Sequence, residues 1–449
     1  MKKWTYVLPF FIVLFWSVTS YSVTVDDVKP YIEQHYYEDV NDQIYDQSID
    51  DLMNELDPYS QYMTEEEFNT FQNSINQEFV GIGIMMEFTD QGALITQVFP
   101  NSPASDKGLQ PGDLMIQVDQ QSLSDLSQEQ ITQLLAGEDG TDVTVTIERD
   151  TRTLTKTITR QPIEIPTVQS DLLAGDIGYL SINSFSDDMI DEVHSEMSHL
   201  TAKSWIVDLR NNSGGYVSSA QHLLGMFPTI AYALEVHLQD GIEMYHPVAQ
   251  PNVFPVESSL LVNQYSASAS EIVAAAIKDY DAADIYGETT FGKGLMQRSF
   301  QLNSGGVLNL SVAEFKSPHS QTIHQTGVEP SIQSSSPLKD SHWDTYRDQH
   351  DYKTFDDIKT IETDHEFTIT LNDDANIESL DQHIDLISLG GQSMDYDLTR
   401  AQDHAYTLDP HEPFNHSQHV AVIVHPGWTN QSGQTAEQGV MVRAYVKSK

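Results

Sequence analysis

The sequence contains no cysteine. Disulfide bonds, thiolate catalysis, cysteine-based zinc sites and lipid attachment at a cysteine are therefore excluded. None of the 17 histidines forms a His-Glu-x-x-His zinc pattern, and the chain lacks the Gly-x-Ser-x-Gly segment typical of an α/β-hydrolase triad. Gly292-Lys293-Gly294 is not a P-loop, because neither serine nor threonine follows its lysine.

Positive charge is scarce as well. Lys and Arg total 22 against 67 Asp and Glu, so the formal net charge is −45. A nucleic-acid partner is disfavoured, because phosphate binding needs clustered lysine and arginine. Such an acidic chain repels itself unless counterions screen it, and this composition favours a salt-tolerant source.

Added salt should therefore stabilise the folded protein. We expect the melting temperature to rise by several degrees between low and molar NaCl, because screening weakens the repulsion among the excess carboxylates. Thermal unfolding followed by circular dichroism measures this rise, with sucrose at equal osmolality as the uncharged control. A melting temperature that is flat or falls with NaCl, or that rises equally in sucrose, would contradict the prediction.

The only long apolar run lies at the N-terminus. Met1-Lys2-Lys3 is a short basic region, residues 4–18 are largely apolar, and small residues follow up to position 22. This run is near the length of a signal-peptide core and is short for a membrane span. Residues 1–22 are therefore predicted to be either a cleaved signal peptide or an uncleaved membrane anchor. Either one predicts an extracytoplasmic protein, secreted or anchored on the outer side of the cytoplasmic membrane, with cell-wall association left open.

A serine-rich turn, Ser-Ala-Ser-Ala-Ser-Glu at 266–271, joins a predicted strand to a predicted helix. The apolar run 260–262 is typical of a buried strand, and 272–277 is typical of a buried helix. A serine on such a turn lies where N–H groups at the helix N-terminus can stabilise a developing oxyanion. The simpler interpretation is helix capping, with Ser270 as the N-cap residue.

A base for such a serine is available downstream, in Phe291-Gly292-Lys293-Gly294. Ser268 and Lys293 are 293 − 268 = 25 positions apart. This spacing allows one helix and a returning strand at 284–287 to bring the lysine back beside the serine. Taken alone, a lysine between glycines is more typical of a solvated loop.

The serine turn, the segment Thr-Phe-Gly-Lys-Gly at 290–294 and the following Gln297 resemble the C-terminal processing peptidases, also called tail-specific proteases. Members of that family are serine peptidases with a Ser–Lys dyad and a PDZ domain. The resemblance implies that Ser268 is the nucleophile, that Lys293 is the general base and that Gln297 orients the lysine.

The resemblance also implies acyl transfer through a covalent intermediate. Neutral Lys293 would accept the proton of Ser268, and water would then release the acyl-enzyme, so neither a metal nor an organic cofactor is required. Because the pKa of a free lysine lies far above neutrality, we expect burial to lower the pKa of Lys293.

In the family, one oxyanion-hole N–H comes from a glycine in the loop after a central strand. The nearly continuous apolar run 205–209 predicts that strand. The resemblance then implies Gly214 as one donor and Ala269 as the second. The family usually has proline where this chain has Ser213, which leaves the choice between Gly214 and Gly215 open.

Residues 78–160 resemble a PDZ domain. A glycine-rich loop at 81–84 is followed by Ser-Pro-Ala at 102–104, Pro-Gly-Asp at 111–113 and a predicted helix at 127–135. The resemblance implies that N–H groups of the loop bind the terminal carboxylate of a peptide, which adds to the domain as a strand. The alternative is a glycine-rich hairpin without a ligand. The loop consists of Gly81, Ile82, Gly83 and Ile84.

The remaining organisation follows from periodicity and composition. Residues 23–77 have amphipathic helical periodicity, interrupted by Leu-Asp-Pro-Tyr-Ser at 56–60, a segment that also resembles the family. Residues 161–332 alternate predicted strands and helices, which predicts a mostly parallel α/β core. The resemblance implies a ClpP/crotonase-like protease core, with the N-terminal helical region packed on it.

The C-terminal part lies beyond the peptidase resemblance. Residues 333–364 are polar and acidic, which predicts a linker. Short β-type segments separated by turn residues follow at 365–449, which indicates a β-sandwich. This part loosely resembles the Ig-like modules of Gram-positive surface proteins, and a family-specific β appendage is the alternative.

The sequence thus predicts an α+β multidomain protein with N-terminal helices, a PDZ domain, an α/β protease core and a C-terminal β-sandwich-like module. The predicted function is that of an extracytoplasmic serine endopeptidase that cleaves proteins near their C-termini. Protein or peptide substrates are the expected partners, and a homo-oligomer is left open. The alternative is a non-catalytic PDZ scaffold with a degenerate protease core, against which the intact Ser268, Lys293 and Gln297 argue.

Overall fold

A computed structural model of the protein describes residues 23–447, except 90–91, 100, 125, 127, 150–151, 165, 349–351 and 356–357. The predicted signal peptide or anchor, residues 1–22, lies outside the described residues. The chain forms two compact units: the smaller contains residues up to 69 together with 297–312, and the larger contains 70–296 and 313 onward. None of the helices among the described residues is long and apolar enough to cross a membrane.

The smaller unit contains the predicted N-terminal helices. The first two helices each bury one apolar face, and Val28, Ile32 and Leu52 pack in one cluster with Leu308 and Leu310 from much later in the chain. Pro58 disfavours helix at the residue before it, and the second helix ends at Leu56. The elements are α1 (Val25–His35), a 3₁₀ turn (Asp42–Asp46), α2 (Ile49–Leu56), β1 (Gln61–Met63) and α3 (Glu65–Ile75), which leads into the larger unit.

The PDZ region comes first in the larger unit. Its strands alternate buried and exposed side chains, as in β7, where Val143, Val145 and Ile147 are buried. Ile131 and Leu135 of its longer helix complete the same core. The elements are β2 (Glu78–Gly81), β3 (Ile84–Thr89), β4 (Gly92–Val98), α4 (Pro103–Asp106), β5 (Leu114–Val118), β6 (Gln121–Ser122), α5 (Gln128–Leu135), β7 (Asp142–Arg149), β8 (Arg152–Thr159) and β9 (Gln161–Glu164).

The PDZ sheet has two edge strands, β3 and β8. Its strand order is β3-β4-β5-β7-β8, so within the described residues β3 has a single strand neighbour, β4. A strand with an unpaired edge can accept an extended peptide as a further strand. Outside this sheet, β2 and β9 pair antiparallel, so the chain enters and leaves the domain at neighbouring positions.

The protease core is a six-stranded sheet flanked by helices. Its strand order is β10-β11-β12-β15-β16-β19, and all neighbours are parallel except β10 and β11. The elements are β10 (Val168–Leu173), β11 (Ile177–Ile182), α6 (Met189–His199), β12 (Ser204–Asp208), α7 (Val217–Leu224), β13 (Leu234–Leu238), β14 (Gly241–Tyr245), β15 (Ser259–Val262), α8 (Ala269–Tyr280), β16 (Asp284–Gly287), β17 (Leu295–Gln301), β18 (Val307–Lys316) and β19 (Ile332–Gln333).

The most apolar segments lie at the centre of this core, as predicted. β12 is buried at all five of its residues, between β11 and β15. Helix α8 is buried from Ala269 through Ile277, which is why its run 272–277 is apolar on every face. The hairpin β13–β14 pairs with the last residues of β18, and β1 pairs with the first residues of that strand in the smaller unit.

The C-terminal module contains two sheets that share one hydrophobic cluster. Leu386 and Val422 belong to the larger sheet, Tyr406 and Leu408 belong to the smaller one, and all four lie in that cluster. Strands β20 and β21 pair parallel with β27. The resemblance to Ig-like modules remains a prediction. The elements are α9 (Pro337–Asp348), β20 (Tyr352–Thr354), β21 (Lys359–Ile361), β22 (Phe367–Thr370), α10 (Ile377–Asp381), β23 (Ile384–Ser388), β24 (Tyr396–Gln402), β25 (Ala405–Pro410), β26 (His419–Val424) and β27 (Gly439–Val446).

Composition predicts a linker at 333–364, but in the structure this segment forms a helix and strands. It contains the twelve-residue helix α9 and the two short strands that join the C-terminal module. Trp343 and Tyr346 of α9 are buried in a cluster that also contains residues of the core sheet and of the C-terminal module. Most residues of this helix are polar, which explains the polar composition of the segment. Trp343 and Tyr346 are three positions apart, so they lie on the same, buried face of the helix.

Candidate active site

Three loops meet at one edge of the protease sheet. β12, β15 and β16 are parallel neighbours, so their carboxyl ends lie at the same edge. In open α/β sheets this edge is where ligands bind. The loops that leave it span residues 209–216, 263–268 and 288–294, and they carry Gly214, Ser268 and Lys293 respectively.

Hydrogen bonds join the three loops to one another. The N–H of Ala267 donates to the carbonyl of Asn212 at 3.0 Å, which connects the first loop to the second. The N–H of Phe291 donates to the carbonyl of Ser266 at 3.0 Å, which connects the second loop to the third. The spacing argument from the sequence is confirmed in this respect, since α8 and β16 return the chain to the serine turn.

The three serines of the motif have different surroundings. Ser266 and Ser270 are fully buried, and their hydroxyls donate to the carbonyls of Leu209 at 2.7 Å and Asn212 at 2.9 Å. Ser268 is partly exposed. The helix begins at Ala269, so Ser268 holds the N-cap position that the capping interpretation assigned to Ser270. Of the three hydroxyls, that of Ser268 is the one a substrate can reach.

The backbone of Ser268 is strained. Its φ is +54° and its ψ is −110°, a region that residues other than glycine rarely adopt. Such a conformation costs of the order of 1–3 kcal/mol and persists only where the surroundings fix it. A strained strand-to-helix turn is also how α/β-hydrolases expose their nucleophilic serine, although the sequence motif here is different.

Glu271 connects the serine turn to the lysine loop. Its Oε2 accepts the N–H of Ser268 at 2.9 Å and the N–H of Lys293 at 2.8 Å. Its Oε1 accepts the Thr290 hydroxyl and the N–H of Gly292, both at 2.6 Å. The side chain is fully buried. Burial raises the pKa of the Glu271 carboxyl, and the four hydrogen bonds act in the opposite direction.

Gly214 lies against the serine turn. Its φ is +110°, and a Cβ added to it would lie 2.9 Å from the Cβ of Ser268 and 3.1 Å from the backbone nitrogen of Ala269. Its N–H donates to Oδ1 of Asn212 at 2.8 Å. Ala269 is the first residue of α8, so its N–H has no acceptor within the helix. The predicted oxyanion donors are thus neighbours of Ser268, and Gly214 is held by an internal acceptor.

Gln297 belongs to the smaller unit, where its side chain takes part in a series of hydrogen bonds. Its Nε2 donates to the Ser311 hydroxyl at 3.1 Å, and that hydroxyl donates to Oδ1 of Asp57 at 3.0 Å. Asp57 is buried and also accepts the Ser60 hydroxyl at 2.6 Å. The Leu-Asp-Pro-Tyr-Ser segment therefore fixes which way the Gln297 amide is turned.

The predicted carboxylate-binding loop leads into β3, an edge strand of the PDZ sheet. Ile82 and Gly83 lie between β2 and β3, and Ile84 is the first residue of β3. The carbonyls of Ile82 and Gly83 accept the N–H groups of Ala104 and Phe99. Gly83 has a φ of +80°, and an added Cβ would lie 2.3 Å from the Cβ of Ser102, so only glycine fits there.

Sequence reasoning missed the contacts of two buried carboxylates, one in each unit. Glu271 appeared only as a helix-start residue, and Asp57 only as part of a helix-breaking segment. The motif spacing signals neither role, because their partners lie in other loops. Across the part of the chain that the structure describes, no group of three or more acidic or histidine side chains is placed to hold a metal ion.

Comparisons with known proteins agree with these features. The model of peptidase family S41 matches residues 176–334, and that of the PDZ domain matches residues 80–159. A "Probable CtpA-like serine protease" of Staphylococcus saprophyticus is 31% identical over 348 residues, which cover 76% of this chain and 70% of that protein. A protein of the same name from Staphylococcus epidermidis is 32% identical over 313 residues, which cover 68% of this chain and 63% of that protein.

The chain therefore belongs to the CtpA-like serine proteases of peptidase family S41, and the resemblance to the C-terminal processing peptidases is confirmed. It is a serine-type peptidase with a PDZ domain. Among solved structures, the photosystem II D1 C-terminal processing protease is 22% identical with a TM-score of 0.46, over 73% of this chain and 97% of that one.

Proposed function

We propose that the protein is an extracytoplasmic endopeptidase that cleaves polypeptides near their C-termini with a Ser268–Lys293 dyad. The observation that carries this proposal is the shared anchor of the two residues, whose N–H groups both donate to Oε2 of Glu271. The partial exposure of Ser268 and the contact position of Gly214 support it.

The proposed reaction is acyl transfer. Neutral Lys293 Nζ accepts the proton of Ser268 Oγ as that oxygen attacks the scissile carbonyl carbon. The N–H groups of Gly214 and Ala269 stabilise the oxyanion, so the substrate oxygen replaces Asn212 Oδ1 as the acceptor at Gly214. The lysine then protonates the departing amine. Water adds to the acyl ester with the same lysine as base, which releases the new carboxylate and restores the serine. Gln297, whose amide is fixed through Ser311, keeps its proposed role in orienting the lysine.

The PDZ domain is proposed to select the substrate by its free C-terminus. The Gly81–Ile84 loop would donate N–H groups to the terminal carboxylate, and the peptide would pair with the open edge of β3. This mode recognises the end of a chain instead of an internal sequence, so flexible or unfolded C-terminal tails are the proposed substrates. The basic and apolar N-terminal stretch supports an extracytoplasmic location.

Amidation of the substrate C-terminus tests both parts of the proposal. We expect a flexible fluorogenic peptide with a free apolar C-terminus to be cleaved about 10-fold faster than the same peptide amidated, because amidation removes charge-assisted hydrogen bonds. The kcat/KM of each peptide measures the difference. If neither peptide is cleaved, the non-catalytic scaffold is supported. Equal cleavage rates for the two peptides would refute carboxylate selection.

A pair of glycine variants makes this test specific to the PDZ loop. In Gly83→Ala the new Cβ collides with Ser102 and distorts the loop, so this variant should treat the two peptides alike. Gly140→Ala is the matched control, because Gly140 also has a positive φ of +76° but has open space around it. The control should keep the preference for the free carboxylate.

A further inference from the structure

We propose that Glu271 is a positioning residue of the dyad: one buried carboxylate fixes the backbones of the nucleophile and of the base relative to each other. The inference rests on the proposed roles of Ser268 and Lys293. It assigns to the last residue of the serine motif a task in the reaction, beyond the capping of α8.

The hydrogen bonds around Glu271 fit an ionised carboxylate. An ionised carboxylate only accepts hydrogen bonds, at about four lone-pair sites. Four donors surround it, two on each oxygen, and all lie within 2.9 Å. A proton on Oε2 would face two backbone N–H groups, and all four hydrogen bonds as they stand favour the charged form against the cost of burial.

The position of these donors gives the carboxylate its role. Three of the four donors belong to the lysine loop, namely Thr290, Gly292 and Lys293. The fourth is the N–H of Ser268, the proposed nucleophile. The hydroxyl of Thr290 also accepts the N–H of Val328 at 2.7 Å, which connects this loop to the segment that precedes β19. Proton transfer from serine to lysine needs both groups in near-attack geometry, where a displacement of about 1 Å can cost 10²-fold in rate.

Glu271→Gln tests the role without changing the shape of the side chain. The glutamine has one acceptor oxygen and one NH₂ group, so either orientation points donors at two of the four N–H or O–H groups. We expect kcat to fall by about 30-fold or more while KM stays within about twofold, because positioning acts on the attack and not on substrate binding. Rates are divided by the concentration of active sites, titrated to completion with a fluorophosphonate.

The titration separates positioning from a merely structural role, which would lower the melting temperature and the amount of active enzyme but leave kcat per active site unchanged. Glu192→Gln is the matched control. Glu192 also lies in the first turn of a helix, α6, and accepts one backbone N–H, that of Val168 at 2.9 Å. Its substitution should leave kcat per active site at the wild-type value.

A second variant covers the case in which Glu271→Gln does not fold. Thr290→Val removes one donor from Oε1 of Glu271 and leaves the bonds to Ser268 and Lys293 in place. It should lower kcat by about 5-fold with KM unchanged. Wild-type kcat in folded Glu271→Gln, or in Thr290→Val where the first variant is unfolded, would overturn the inference. Failure of the proposed function looks different: wild-type enzyme would not cleave, or Ser268→Ala would retain activity.

Discussion

Ser268→Ala protein is expected to cleave peptides at least ~10³-fold more slowly than wild type, while the fold persists. The hydroxyl is the attacking group, and the N–H of Glu271 that it caps also donates to the carbonyl of Ser268, so that N–H keeps an acceptor when the hydroxyl is removed. The measurement is kcat/KM on a fluorogenic peptide. Ser198→Ala, which removes a hydroxyl from the exposed end of α6, should leave the rate unchanged.

Activity that persists in Ser268→Ala would contradict this assignment. Ser266 and Ser270 would then be the next candidates in the motif. Both are fully buried and donate to backbone carbonyls, so either would need a rearranged loop to reach a substrate.

The lysine variants complete the test of the dyad. Lys293→Ala should lose activity to the same extent, because no other base has been assigned to the serine. Lys293→Arg should also be inactive, since arginine keeps its proton at any pH the enzyme survives. Lys278→Arg is the matched control, because Lys278 donates to the carbonyl of Glu329 and has no proposed role in the reaction. Substantial activity in Lys293→Arg would rule out the lysine as the base.

Gly214→Ala should give the second largest loss, about 10²-fold in kcat, the usual effect of removing an oxyanion donor. The new Cβ would lie 2.9 Å from both the carbonyl oxygen of Ala267 and the Cβ of Ser268, and the φ of +110° disfavours any side chain. The loop must move away from the serine turn, which displaces the donor and the nucleophile together.

The control for this glycine is another glycine of the same core. Gly241 begins β14, has no positive φ, and a Cβ there would meet open space. Gly241→Ala should therefore have wild-type kcat. Wild-type activity in Gly214→Ala, measured on folded protein, would show that this loop contributes no oxyanion donor.

Elements that are buried on every side could be predicted from the sequence. The run 205–207 of β12 and the run 272–277 of α8 are apolar throughout because no face of either run meets water, so composition alone identifies them. The return of the lysine loop to the serine turn was also predictable, since a helix and a strand of ordinary length fit between Ser268 and Lys293, which are 25 positions apart.

Side chains whose partners lie far along the chain could not be assigned in this way. Asp57 and Ser311 are 254 positions apart, and their hydrogen bond fixes the Gln297 amide. Helix α9 has too few apolar residues to stand out, and its buried face exists because two sheets cover Trp343 and Tyr346. A sequence pattern reports the average exposure of an element, whereas these roles depend on which neighbour covers one side of it.

The sequence by itself thus determined the peptidase class and the order of the folded regions, because local patterns and motif spacing encode them. The tertiary structure alone decided that Glu271 accepts from both Ser268 and Lys293, that Ser268 adopts a positive φ and that Ser270 is buried. A carboxylate at the start of a helix is favourable in any protein, so its sequence position indicates only capping. Its further role depends on the parallel register of β15 and β16, which places the two loops within reach of one side chain.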